Sequence, residues 1–123
     1  MPATYRKDTT TFDLPGFQFR PLAVPSTGST ELAIWQLDVA PNAASDLHSM
    51  NKEEVFVVTA GRLLFEVAGA QHELQAGDAM TVLPGQELKV SNPHEESAKA
   101  LACTSKGMQA MIDGAAFTPP WMI

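Results

Sequence analysis

The sequence has little cysteine, little positive charge and no long apolar run, and each shortage excludes a class of protein. Its single cysteine, Cys103, cannot form an internal disulfide or a zinc site built from cysteines. Only 8 basic residues stand against 14 acidic ones, and the formal charge of −6 argues against a surface that binds nucleic acid. No apolar stretch reaches the roughly 18–20 residues of a membrane span, and the first residues lack the apolar segment of a secretory signal. We therefore expect a cytoplasmic protein that binds neither nucleic acid nor membranes.

Turn-forming residues, by contrast, are frequent along the chain. The length of 123 residues is typical of one domain, and 9 prolines with 8 glycines exclude a long helical bundle. Because 45% of the residues are hydrophobic and 18% charged, the chain is expected to fold rather than stay disordered. Glycines recur at positions 61, 69, 77 and 85, a spacing typical of short antiparallel strands joined by tight turns. The sequence therefore predicts an all-β sandwich or barrel.

Seven runs between these turn residues favour strands. The alternation of apolar and polar residues is clearest around Trp35, and Pro21 restricts its own run to a sheet edge or a bulge. One segment, 43–54, leaves a short helix open as an alternative, although the β-branched run that follows it prefers a sheet. The predicted strands are Phe17–Val24, Leu32–Val39, Val55–Ala60, Leu63–Val67, Ala79–Leu83, Leu88–Ser91 and Ala98–Thr104.

A pattern of polar residues that ends in a glycine runs through residues 41–61, which read PNAASDLHSMNKEEVFVVTAG. His48, Glu54 and the closing glycine stand at the spacing of the first conserved motif of the cupin superfamily. Asn42 takes the place of that motif's first glycine, and Met50 takes the place of its second histidine. This segment therefore resembles a cupin motif that has lost one of its histidines.

A second segment, 77–92, reads GDAMTVLPGQELKVSN. Gly77, Gly85 and Asn92 match the second cupin motif, and Leu88 replaces its histidine. The chain is thus similar to small single-domain cupins. That resemblance implies an all-β jelly-roll barrel, or double-stranded β-helix, with a core at about 32–104 inside one domain of residues 1–123. An N-terminal strand and a C-terminal Pro-Pro-Trp tail would flank the core, and a homodimer is expected because small cupins commonly pair through their sheets.

The resemblance also implies a metal site, which this sequence retains only in part. Cupins commonly hold iron, manganese, nickel or zinc with three histidines and one glutamate inside the barrel. Here His48 and Glu54 remain, whereas Leu88 offers no donor atom and Met50 offers only a soft thioether. Asp46 is either a third ligand, a carboxylate that orients His48, or a solvated loop residue. We expect no bound cofactor, with a divalent metal held by His48 and Glu54 as the alternative.

A barrel with apolar side chains at two metal positions suits a small organic molecule. If Glu54 shares the inward face of its strand with Phe56, its carboxyl group must be paired, hydrogen-bonded or protonated, and it becomes a candidate general acid or base. Two alternatives stay open: a metal-dependent enzyme of the oxygenase or isomerase type, and a structural or sensory module with a filled barrel. The predicted ligand-binding residues are Trp35, His48, Met50, Glu54, Phe56 and Leu88.

The remaining reactive or apolar residues are given ordinary structural roles. His72 is expected on the surface, His94 in an exposed turn, and Cys103 as a small buried thiol. The apolar tail 117–123 would expose a sizeable patch if it were left in water. We expect it to dock on its own barrel or on a neighbouring subunit.

Overall fold

The computed structural model describes residues 3–123, and the regular secondary structure in that range is almost all β-strand. Short 3-10 turns occur at Arg6–Asp8, Pro25–Thr27 and Pro120–Met122, and no helix forms over residues 43–54. The all-β prediction is confirmed. The strands are β1 (Phe12–Leu14), β2 (Phe17–Ala23), β3 (Leu32–Val39), β4 (Ser49–Met50), β5 (Glu54–Ala60), β6 (Arg62–Val67), β7 (Ala70–Gln75), β8 (Ala79–Val82), β9 (Leu88–Ser91), β10 (Ala98–Ser105), β11 (Ala110–Ile112) and β12 (Ala115–Phe117).

These strands form three antiparallel sheets. The largest has the order β1-β2-β3-β10-β5-β8, and two smaller sheets have the orders β7-β6-β9 and β12-β11-β4. Strands far apart in sequence lie side by side, since β10 pairs with both β3 and β5. Such crossed antiparallel pairing is the arrangement of a jelly roll, which closes most sheet edges. The predicted jelly-roll class is confirmed.

The core forms because alternate side chains of the long strands point inward. On β3, Trp35 and Leu37 are buried while Gln36 between them is half-buried. On β10 the inward positions are small: Ala102 lies opposite Trp35 on β3 and opposite Phe56 on β5. A methyl group between two large rings leaves both of them room to extend into the barrel. The small residues of β10 therefore help to shape the interior.

The outward positions of β10 explain one correction. Cys103 was expected to be buried, but it is half-buried, because it alternates with Ala102 and Thr104 and so lies on the outer face of the sheet. Pro21 behaves as predicted for a bulge, because the register of β2 against β3 shifts between Pro21 and Ala23. The edge option also holds locally, because β1 pairs only with residues 17–19 and Pro21 therefore has a neighbouring strand, β3, on one side only.

The two cupin-like segments pair with each other through their backbones. The amide of Asn42 donates to the carbonyl of Asn92 at 2.7 Å, and His48 and Leu88 exchange hydrogen bonds of 3.0 and 2.6 Å. Asn42 has a φ of 63°, a left-handed conformation that glycine prefers and asparagine tolerates better than most residues. Gly61 also has a positive φ, of 71°, and a Cβ there would lie 2.7 Å from the carbonyl oxygen of Ser97. The turn at Gly61 therefore excludes any side chain.

The C-terminal residues dock on the barrel of their own chain. The indole ring of Trp121 stacks on Phe19 with centroids 3.6 Å apart and an interplanar angle of 6°, and Met122 is buried. The tail was expected to dock either on its own barrel or on a neighbouring subunit, and in the structure it docks on its own barrel. Across residues 3–123 there is no helix with the length and apolarity needed to cross a membrane.

Candidate functional site

A cavity of about 350 Å³ opens inside the barrel and is surrounded by side chains from all three sheets. Its lining is mostly apolar, with a few polar groups contributed by 45–48 and by Glu54. A free volume of this size shows that side chains do not fill the barrel. The aromatic side chains of the lining are Phe17, Phe19, Trp35, Phe56, Phe117 and Trp121.

Two parts of the lining differ in exposure. The buried lining residues include Met50 and Ala110 on short strands; we call Trp35, Glu54 and Phe56 the inner wall, because each is no more than 4% exposed and lies on a long strand of the six-stranded sheet. We call Leu14, Asp46 and Phe117 the rim, because all three are exposed. The inner wall comes from long strands of the six-stranded sheet, whereas the rim comes from the short strands β1 and β12 and from a loop. A ligand would enter past the rim and meet the inner wall inside.

Glu54 is the first residue of β5, and its side chain shares the inward face with Phe56. It is 3% exposed, and its carboxyl group forms no hydrogen bond or ion pair with another residue in the described part of the chain. Burial without a partner raises the pKa of Glu54 to about 8, because the charged form loses its hydration. Of the three states considered for this residue, the structure supports the protonated one. At pH 7 the cavity therefore contains a neutral carboxylic acid.

His48 precedes β4 and is half-buried at the edge of the cavity. Its Nδ1 lies 2.8 Å from the backbone carbonyl oxygen of Asp46. Because a carbonyl oxygen only accepts, Nδ1 must donate, and this leaves Nε2 with its lone pair as an acceptor in the neutral ring. The backbone of Asp46, rather than its carboxylate, thus orients the imidazole. The Asp46 side chain is exposed and belongs to the rim.

Met50 and Leu88, which replace the two family histidines, have different positions. Met50 is 1% exposed and lines the cavity. Leu88 was predicted to line it too, but it lies in the core outside the cavity wall and pairs with Val67 of β6. Val90 shares the buried face of β9 with Leu88 and contributes to the wall in its place. Of the six predicted ligand-binding residues, the structure brings all but Leu88 to the cavity.

The donor atoms near the cavity do not fit a divalent metal ion. They are the imidazole of His48, the carboxyl groups of Glu54 and of the exposed Asp46, and the thioether of Met50, which hard divalent ions bind poorly. Among residues 3–123 there is no group of three histidine, cysteine, aspartate or glutamate side chains that could hold an ion. Asp46 therefore does not complete a site with His48 and Glu54, and we assign no chemical step to a metal.

The other two histidines lie away from the cavity. His72 is exposed on β7, as predicted. His94 lies in a turn, and its Nε2 is 2.7 Å from Oε1 of Glu73. This contact joins the turn to β7 and accounts for His94 without a role in binding.

Several wall residues were not identified from the sequence. Phe17 and Phe19 were assigned to a strand without a functional role, although their spacing of two residues places them on one face. Phe117 and Trp121 were noted only as part of an apolar tail. The tail could not be assigned to the cavity from the sequence because its position depends on contacts with β2 and β3, which are distant in the chain.

Comparison with known proteins agrees with this architecture. The family model described as "Cupin domain" matches residues 35–104, whereas no curated protein matches the sequence. Similar solved structures include the polyketide cyclase RemF from Streptomyces resistomycificus, with 17% identity, a TM-score of 0.77, and coverage of 85% of this chain and 79% of that one. An RmlC-like cupin from Shewanella frigidimarina has 20% identity, a TM-score of 0.75, and coverage of 85% and 90%. KdgF from a Halomonas species has 17% identity, a TM-score of 0.75, and coverage of 85% and 93%. At these identities the likeness is one of fold. Since the family model spans more than half of the sequence, the chain belongs to the cupin family.

Proposed function

We propose that this protein binds a small organic molecule in its barrel cavity, with His48 and Glu54 as the main polar contacts and without a resident metal ion. The observation that carries the proposal is the cavity itself, whose volume of about 350 Å³ falls within the usual range for ligand pockets. Its aromatic and aliphatic lining with few polar groups has the composition of such pockets.

The two polar groups support binding because each has unused hydrogen-bonding capacity. The neutral carboxylic acid of Glu54 has a donor and acceptors, and Nε2 of His48 is an acceptor when the ring is neutral. The carboxyl group of Glu54 is therefore free to form hydrogen bonds with a ligand, and a typical hydrogen bond contributes about 0.5–1.5 kcal/mol. The aromatic rings add apolar contact, at about 25 cal/mol per Å² buried.

The proposal is tested by screening small aromatic compounds, carboxylic acids and sugars for an increase in melting temperature. Ala110→Leu fills part of the cavity from its buried lining position on β11, and Ala116→Leu makes the same change at an exposed position on β12. We expect at least one compound to stabilise the wild type and the Ala116→Leu variant but not the Ala110→Leu variant. The proposal is wrong if nothing stabilises the wild type, or if Ala110→Leu responds equally.

The metal-free state has a separate test. Elemental analysis of protein purified without added metal should show less than stoichiometric iron, manganese, nickel and zinc. A full equivalent of any of them would overturn this part of the proposal and favour a metal-dependent cupin enzyme.

A second candidate function is catalysis of proton transfer on the bound molecule. It is favoured by the raised pKa of Glu54, about 8, since a general acid or base works best when its pKa lies near the working pH. A similar fold is found in the polyketide cyclase RemF, so the architecture is compatible with catalysis. Nuclear magnetic resonance of any compound found in the screen distinguishes binding from catalysis. If the protein is an enzyme, the wild type converts the compound to a product, whereas a Glu54→Gln variant binds the compound without converting it.

We also propose that the chain forms a homodimer through the outer face of its six-stranded sheet. Leu32 and Val57 are exposed there. Asp38 and Lys99 pair at 3.0 Å on the same face, and Arg20 of β2 also lies on it. In a two-fold dimer a patch faces its own copy, so a patch with few unpaired charges limits like-charge repulsion. Val57→Glu should yield monomers by light scattering, whereas Gln71→Glu on β7 should not. A wild-type monomer would contradict the proposal.

The cytoplasmic location and the lack of nucleic-acid or membrane partners stay predictions from the composition.

A further inference from the structure

The ionisable groups that line the cavity in the described part of the chain include no permanent cation. Among the described residues that line it, Asp46 and Glu54 carry carboxyl groups, His48 carries an imidazole, and none is lysine or arginine. A carboxylate or phosphate ligand would enter an apolar cavity without a cation to pair with it, and burying an unpaired charge is very costly. The lining therefore selects against anionic molecules.

The same lining is suited to positive charge. Six aromatic side chains surround the cavity, and the negative face of an aromatic ring attracts an ammonium group, most strongly where water is excluded. Within the inner wall, Phe56 and Glu54 lie two residues apart on one face of β5, and Trp35 lies across Ala102 from Phe56. A buried carboxyl group thus shares the inner wall with two aromatic rings.

The environment of Glu54 is a second reason to expect a cationic ligand. Its side chain lines the cavity and is only 3% exposed. Its carboxyl group has no hydrogen-bond or ion-pair partner among residues 3–123. A cation bound beside it would provide the partner that the folded chain does not.

We infer that the cavity takes an organic cation, an amine or a quaternary ammonium ion, whose charged nitrogen lies against Glu54 among the rings of the inner wall while its apolar part fills the remaining space. This inference rests on the proposed small-molecule function and names the class of its ligand.

Binding of such a cation is coupled to a proton. Because burial raises the pKa of Glu54 to about 8, the carboxyl group must lose its proton to pair with the cation, and the affinity rises with pH until that pKa is passed. Other titratable groups around Glu54 are His48 and Asp46 in the lining and Cys103 on the neighbouring β10. The pKa of the Cys103 thiol is itself raised, first by burial and then by the charge of Glu54.

Three probes of nearly equal size test the inference by tryptophan fluorescence. They are benzyltrimethylammonium, which carries a permanent charge, its carbon isostere neopentylbenzene, and the anion phenylacetate. At pH 9 we expect the cation to bind at least about tenfold more tightly than the isostere, and phenylacetate to bind more weakly than both. Between pH 6 and 8 the dissociation constant of the cation should fall about tenfold per pH unit, and then level off.

Two matched variants locate the effect. Glu54→Gln should abolish the preference for the cation and its pH dependence while leaving the affinity for neopentylbenzene. Glu53→Gln changes the adjacent, exposed residue outside the lining and should alter neither. His48→Asn should keep the pH dependence, since that dependence is assigned to Glu54. An equal loss in the Glu53 variant, or a flat pH profile in His48→Asn, would overturn the assignment to Glu54.

A measurement on the wild type keeps the test valid if Glu54→Gln does not fold. Calorimetry of benzyltrimethylammonium binding at pH 7 in two buffers of different ionisation enthalpy should show close to one proton released per cation. No proton release, or an isostere or anion that binds as tightly as the cation, would overturn the inference while leaving small-molecule binding intact. If none of the three probes binds and the earlier screen finds nothing, the proposed function itself fails.

Discussion

The inner wall and the rim line the same cavity but are built in different ways. Trp35 and Phe56 lie within long strands, and β10 pairs with both of those strands over most of their length. The rim residues Leu14 and Phe117 lie on strands of three residues. A side chain on a long central strand is held by neighbours on both sides, whereas one on a short strand has few contacts that fix it. Stability therefore resides in the inner wall, and the rim can vary more freely.

The largest effect expected is on the pH dependence of stability, through Glu54→Gln. Because the pKa of Glu54 is raised from 4.5 to about 8 on folding, the folded state binds more protons between those pH values, and the wild type loses stability as the pH rises through this range. Glutamine does not titrate. Above pH 8 the free energy of unfolding of the variant should exceed that of the wild type by up to roughly 5 kcal/mol, since a pKa difference of one unit corresponds to about 1.4 kcal/mol. Below pH 4 the two proteins should differ by nearly nothing.

Urea unfolding at pH 4, 6 and 9 measures this difference. Glu53→Gln is the control, and its difference from the wild type should not change with pH. A constant difference for Glu54→Gln across the three pH values would mean that folding does not raise the pKa of Glu54.

Phe56→Ala should be the next most damaging change. Phe56 is 4% exposed, and the centroid of its ring lies 5.3 Å from the centroid of the Phe65 ring. Its removal therefore enlarges an existing cavity and loses an aromatic contact. We expect a loss of about 3–5 kcal/mol in the free energy of unfolding, measured in urea. A loss below about 1 kcal/mol would show that the inner wall is not the stable part of the site.

Trp121→Ala should have an intermediate effect. The stack on Phe19 is lost, but so is the indole N–H, which is buried without a hydrogen-bond partner in the described structure. Stacking of this kind contributes about 0.5–1.5 kcal/mol, and the unpaired donor offsets part of it. We expect a net loss of about 1 kcal/mol in the free energy of unfolding, measured by thermal unfolding. Trp121→Phe, which keeps a ring without the donor, should be close to the wild type, and an equal loss in both variants would count against the stack.

Phe117→Ala should change stability least. The side chain belongs to the rim and is 38% exposed, so its removal should cost less than about 1 kcal/mol. The same variant should bind the organic cation several-fold more weakly, because one ring of the lining is gone. The two measurements together, urea unfolding and fluorescence titration, separate the ligand contact from the folding contact. A stability loss as large as that of Phe56→Ala would remove the distinction between rim and inner wall.

The long strands with alternating burial could be predicted from the sequence because their periodicity is local, whereas β7, with all but one of its six residues exposed, was missed. The predicted run Leu32–Val39 matches β3, and the burial of Glu54 follows from its alternation with Phe56. The short strands could not, since two or three residues carry no periodicity, and β11 and β12 become strands only by pairing.

For the site, the sequence predicted which face of a strand each residue lies on, but not which other residues it contacts there. Leu88 and Val90 share one face of β9, so their spacing cannot tell which of them reaches the cavity. The partner of His48 Nδ1 likewise depends on how the loop folds. Asp46 has both a carboxylate and a backbone carbonyl that can accept this hydrogen bond, and the sequence does not tell which one does. Alternation tells which side of a sheet a residue faces, and the packing of the other sheets then decides what it meets there.

The docked segment Pro119–Ile123 supplies part of the cavity lining through Pro119 and Trp121, yet it belongs to none of the three sheets. Substitutions in this segment can enlarge or narrow the interior without breaking a ladder of backbone hydrogen bonds. The volume offered to a guest molecule is therefore adjustable separately from the scaffold that encloses it, which makes this segment the natural starting point for redesigning selectivity.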